Sequence, residues 1–116
     1  MDTKSLVESL KAIFERARNE GLVVDAFVLA PAYEGFIQNS FVLAVSAPSL
    51  IDKLSFEKTD LIIDLLHEKL PLDQRLQIDR VRVYESVEDL KIHAQLGFDD
   101  DAYERPLSRH TELVQV

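Results

Sequence analysis

Few groupings of residues in this chain have types and spacing that suit chemistry. In "TDLIIDLLHEK", Asp60, Asp64, His67 and Glu68 recur at i, i+4, i+7 and i+8. In a helix these four share a face, and Asp64-x-x-His67 is a spacing that carboxylate-bridged metal sites use within bundles. Such a site needs more ligands converging from other helices. Here the four lie opposite the leucines of their own helix, so a solvated face is expected, with Asp64 and His67 as the candidate metal ligands. His93 and His110 stand alone in sequence. The chain has no cysteine, which removes thiolate ligands, thiol nucleophiles and disulfides. It has no G-x-S-x-G elbow and no Gly-rich phosphate loop; its glycines, Gly21, Gly35 and Gly97, are far apart. A catalytic site, a cofactor and a resident metal are therefore not expected.

Binding is better represented. In "RLQIDRVRVYES" Leu76 and Ile78 alternate in one phase, and Val81 and Val83 in the other. A bulge near Asp79 accounts for the switch. With Val81 and Val83 on the core, Arg80, Arg82 and Tyr84 share the opposite face. Two guanidinium groups and a phenol suit an anion, a carboxylate-bearing partner or a single-stranded base, although they also suit an ordinary polar outer face. The segment "PAYEGFIQN" sets Tyr33 and Phe36 around Gly35 in a long connection. Exposed loop aromatics there can anchor a partner or fold back over the sheet.

The elements that must position these residues follow from periodicity. Leu6, Leu10, Ile13, Phe14 and Ala17 mark one face of an amphipathic helix, with Ser5 and Glu8 at capping-box spacing and Gly21 placed to end it. Two apolar, β-branched runs follow at 22–30 and 40–47, each closed by Ala-Pro. Split by parity, each has a bulky face (Phe27 and Leu29; Phe41, Leu43 and Val45) and a small one (Ala26, Val28 and Ala30; Val42, Ala44 and Ser46). A short helical piece capped by Ser49 and a longer helix capped by Ser55 come next. The longer one buries Leu61, Ile62, Leu65, Leu66 and Leu70 and stops at Pro71. After the Arg-rich strand, Ser86 opens a further short helix that Gly97 closes.

This order, α-β-β-α-α-β-α with a polar tail, predicts an α+β domain of two layers. A small, mostly antiparallel sheet would carry helices on one face and leave its small-residue face open. Residues 1–97 form that domain, and 98–116 a polar, acidic tail, "FDDDAYERP" included, that can be solvated, docked or swapped; "TELVQV" could supply a short strand or stay mobile.

Totals limit the function classes. The 116 residues suit one domain, and 47% apolar content with 29% charge suits a packed core in a soluble chain. With 21 acidic against 13 basic residues, the net charge is −8, which argues against duplex nucleic acid. The start "MDTKSLVESL" has no basic segment ahead of an apolar one, and no apolar run reaches the ~20 residues that span a bilayer. No membrane association is expected, and a cytoplasmic location is the default.

The element order, with "SFVLAVSAPSLIDKLSFEKTDLIIDLLHEKL" and the later "RVRVYESVEDL", resembles BolA-like proteins and the related type of KH domain over roughly residues 5–90. Where the BolA helix opens with Arg-His this chain reads Lys58-Thr59, and the G-x-x-G loop of KH domains is absent. The resemblance therefore implies architecture alone. The resulting expectation is a non-catalytic protein-interaction or assembly module, homo-oligomeric, that uses its open sheet face. The alternatives are a ligand or single-strand binder using Arg80, Arg82 and Tyr84, and a metal-dependent enzyme using Asp64 and His67.

Overall fold

The computed structural model describes residues 3–31, 40–96 and 113–116. Helix α1 (Thr3–Arg18) forms around the predicted stripe: Leu6, Leu10, Ile13, Phe14 and Ala17 are all buried. It begins ahead of Ser5, which therefore cannot cap it. Ser5 Oγ instead accepts a hydrogen bond from Gln74 Nε2 at 3.5 Å. Its other end is as expected. Gly21 adopts φ +95°, and the N–H groups of Gly21 and Leu22 donate to the carbonyls of Arg18 and Ala17 at 3.2 and 3.1 Å. These are the paired bonds of a Schellman cap, with glycine at the left-handed position.

Strands β1 (Ala26–Pro31), β2 (Phe41–Ser46), β3 (Ile78–Tyr84) and β4 (Val114–Gln115) make one mixed sheet in the order β3-β2-β1-β4. β1 pairs antiparallel with β2 and with β4, while β2 and β3 are parallel. A parallel pair needs a long crossover, which α2 (Ser55–Lys69) and the single-turn α3 (Leu72–Arg75) supply. The short piece expected after Pro48 is only a 3-10 turn, Pro48–Leu50, so the second helix of the crossover follows Pro71 rather than preceding α2. Ser49 caps nothing; its Oγ accepts the Val23 N–H at 3.0 Å. Leu54 is the N-cap of α2, and the Glu57 carboxylate accepts its N–H at 3.3 Å, so Ser55 is already helical. The tail's last residues dock on β1, with Ala26 opposite Gln115 and Phe27 opposite Val114. No helix among the described residues is long and apolar enough to cross a membrane.

Register confirms both parity readings. Phe41 pairs with Ile78, and the next residue, Val42, pairs with Arg80, so Asp79 is the extra residue of a bulge. On the bulky face, Phe27, Leu29, Leu43, Val45 and Val81 pack against α1 and α2, and the Phe14 and Phe27 rings meet edge to face at 5.5 Å. From α2 the core takes Ile62 and Leu66, and from its C-cap Leu70. Leu61, expected in the stripe, is 38% exposed, because it flanks Ile62 rather than facing the sheet.

The small-residue face is where the structure departs most from expectation. It is not open: α4 (Val87–Leu96) lies across it, with fully buried Leu90 seated among Ala26, Val28, Ala30, Val42 and Ala44. Helices therefore occupy both faces of the sheet. Alanine and valine are what allow a helix to approach this closely. Its start is capped as expected, Ser86 Oγ accepting the Asp89 N–H at 3.1 Å.

Truncating Leu90→Ala should cost about 2–5 kcal/mol in a urea melt, the range for a buried leucine; a loss within ordinary surface variation would mean α4 is not held there. At Gly21 an added Cβ meets nothing within 4 Å, so only backbone strain opposes substitution. Gly21→Ala should therefore cost about 1–2 kcal/mol, and Gly21→Asn less.

Candidate functional site

The three residues expected on the small face occupy it by register, opposite Val42, Ala44 and Ser46. They do not form an open platform. The Tyr84 ring stacks beside the His93 imidazole of α4, centroids 4.6 Å apart, so the phenol is half-buried under that helix. His93 Nδ1 lies 2.9 Å from the Asp89 carbonyl, which can only accept, so Nδ1 carries the proton. Arg80 is drawn to the strand's edge. In a regular strand neighbouring side chains point apart, but the bulge brings Asp79 and Arg80 together, and Arg80 Nε donates to Asp79 Oδ2 at 2.9 Å. Arg82 remains on the face, half-buried, with its Nε shielded from water and unpartnered among the described residues. Tyr33 and Phe36 lie outside the described residues.

On α2, Asp60, Asp64, His67 and Glu68 are all exposed. His67 is engaged elsewhere: Arg75 Nη1 lies 3.1 Å from its Nδ1 and 3.4 Å from its carbonyl. A guanidinium only donates, so Nδ1 accepts and the imidazole proton sits on Nε2. Among the described residues there is no group of three or more side chains that could hold a metal ion. The Arg75–His67 contact instead walls a cleft of about 210 Å³ between α2, α3 and β3. Asp79 and Arg80 stand on its β3 side, and Ile63, Leu66, Ile78 and Val81 complete it. Arg75 was invisible in the sequence. Pro71 breaks the helix between it and His67, eight residues earlier, so only the turn into α3 brings the two side chains together. A second groove of about 270 Å³ runs between α1 and α2, but its charged residues, Arg16, Glu20 and Lys69, are all exposed to water.

A third feature is apolar. Around the start of α2, Ile51, Leu54 and Phe56 are 55%, 61% and 63% exposed. Asp52 and Asp60 are exposed beside them and Glu57 is partly so; Lys53 is exposed too, while Lys58 Nζ is paired with Glu85 at 3.4 Å. Nothing in the spacing of Ile51, Leu54 and Phe56 marks them as exposed; only the packing of α2 leaves them outside the core.

Because Arg82 Nε lacks a partner, Arg82→Met should leave the urea midpoint unchanged or raise it. Apolar replacement of an unsatisfied buried donor is close to neutral; a loss beyond about 1 kcal/mol, the worth of an ordinary hydrogen bond, would show that Arg82 holds the fold. No protein-family model, curated protein or solved structure matches this chain.

Proposed function

We propose that this chain is a non-catalytic, cytoplasmic interaction module whose contact surface is the corner formed by Ile51, Leu54 and Phe56. One observation carries the reading: three large apolar side chains within six residues, each more than half exposed, in a domain that buries apolar side chains on both faces of its sheet. Single exposed leucines are ordinary, whereas a run of this kind leaves apolar area that contact with a partner removes from water. The sheet face, first expected to serve, is occupied by α4.

Charge selects the partner's chemistry. The chain carries a net charge of −8, and the corner is edged by Asp52, Glu57 and Asp60, offset chiefly by Lys53. A second copy would bring like charges together, whereas a basic amphipathic segment presents an apolar stripe and complementary charge.

A Lys/Leu amphipathic helical peptide is a suitable probe, followed by fluorescence anisotropy. Its affinity should fall roughly tenfold or more in Leu54→Asp and in Phe56→Asp, as for a central interface residue. A Lys/Ser peptide of equal charge should bind far more weakly. Equal binding of both peptides, or unchanged binding by both variants, would count against the corner. A dimer seen by light scattering and abolished by Phe56→Asp would assign the corner to a second copy instead.

A further inference from the structure

We propose that β4 is a displaceable guard on β1, and that the edge it covers is a self-association site for a second copy of this chain. The interaction corner on α2 plays no part in this inference, which rests on what β4 covers and how lightly it is held. With the sheet ordered β3-β2-β1-β4, loss of β4 would leave β1 as an edge strand. Soluble proteins blunt such edges with a charge, a proline or a bulge. From Ala26 to Ala30 β1 has none of these: its residues there are apolar, and its register with β2 is unbroken. Pro31 stands at the end of β1 away from β4. An uncharged run of this kind, with high strand propensity, is what strand-to-strand association selects.

The hold on β4 is slight. Its ladder joins Val114 to Phe27 and Gln115 to Ala26. Beyond the ladder, the Val116 N–H donates to the Asp25 carbonyl at 3.0 Å, and Arg18 Nη2 donates to the Val116 carbonyl at 3.0 Å. Arg18 and Gln115 are exposed, and Val114 and Val116 are half-buried against the core. A terminal strand this short, with few buried apolar contacts, opens at a lower free-energy cost than the centre of the sheet.

The seat of β4 shows what takes its place. Val114 and Val116 pack on the α1–α2 side of the sheet and Leu113 on the α4 side, so the space beside β1 already admits a strand. That strand is antiparallel to β1. Under a two-fold axis, β1 of a second copy is antiparallel too, and each copy offers the other the same edge. Residues 26–30 bring no like charges together there, unlike the acidic rim of the corner. Repulsion comes instead from the net charge of −8 on each chain, and salt screens it.

Val114→Pro in the full chain tests this, because a proline cannot join the ladder. Light scattering should show a mass above the parent's, rising further at high salt, whereas salt weakens the binding of a basic peptide at the corner. An acetylated Leu-Val-Gln-Val peptide, the sequence of residues 113–116, should return the variant to the parent's mass when added in excess. Leu-Pro-Gln-Val should not. The proposal is overturned if Val114→Pro keeps the parent's mass at both salt concentrations. It is equally overturned if the first peptide leaves the assembly intact, as it would an aggregate of unfolded chains. Amide hydrogen exchange in the unaltered protein supplies an arm that needs no variant. The Val116 amide should exchange roughly a hundredfold or more faster than those of Leu43 and Val45 in β2. Arg18→Ala, which removes the clamp on Val116, should speed it about tenfold again. Exchange at Val116 as slow as in β2 would show that β4 is not displaceable, and would overturn the proposal even if Val114→Pro does not fold.

Discussion

A strand with no polar side governs this domain. In β2, Val42, Leu43, Ala44, Val45 and Ser46 are all buried, and the strand is paired on one edge with β1 and on the other with β3. Its main-chain groups are satisfied in the sheet, but its side chains demand a cover on each face, at about 25 cal/mol for every Å² of apolar surface removed from water. The bulky face receives α1 and α2, and the small face receives α4. Each cover is an amphipathic helix that would be marginal alone and is held by the apolar stripe it presents.

That demand explains where the polar groups went. Once α4 is seated, the small face has little room for a ligand, and what remains polar there is confined. Ser46 Oγ is fully buried without a hydrogen-bond partner among the described residues, a cost of about 1–3 kcal/mol for a group that must be small enough to sit beneath the helix. Tyr84 finds a ring to stack on. Arg80 leaves the face by way of the bulge, which turns it toward Asp79 and the cleft. The bulge therefore does two things: it lets Ile78 and Val81 both reach the α1–α2 side, and it moves a cation to the edge of the sheet.

Polar chemistry thus collects along the crossover between β2 and β3, not on the sheet. A parallel pairing forces the chain to travel the length of the sheet and return, and the return passes through α3. That single turn carries Arg75 to His67, and its first residue, Leu72, is exposed. At the other end of the crossover, the chain enters α2 through the apolar corner at Ile51, Leu54 and Phe56. Both candidate sites are by-products of connecting β2 to β3 in this way, each set at the margin of the core that α2 covers.

Local pattern was enough for much of this. Helical periodicity marked the buried face of α1; parity marked the two faces of β1 and β2; the phase switch marked Asp79 as the bulge; and Gly21 and Ser86 marked helix ends, because each feature depends on residues a few positions apart. Caps read from residue type alone were less secure: Ser5, Ser49 and Ser55 all fit a cap, and none serves as one, since tertiary contacts with Gln74 and Val23 or a one-residue shift in helix start decide the matter. The seat of α4 and the meeting of Arg75 with His67 were decided only by the tertiary structure. Sequence determines which side of an element is apolar, through spacing along the chain. Which distant element answers that side, and which charges the answer leaves facing each other, depends on chain reversal and packing, and those carry no local signature.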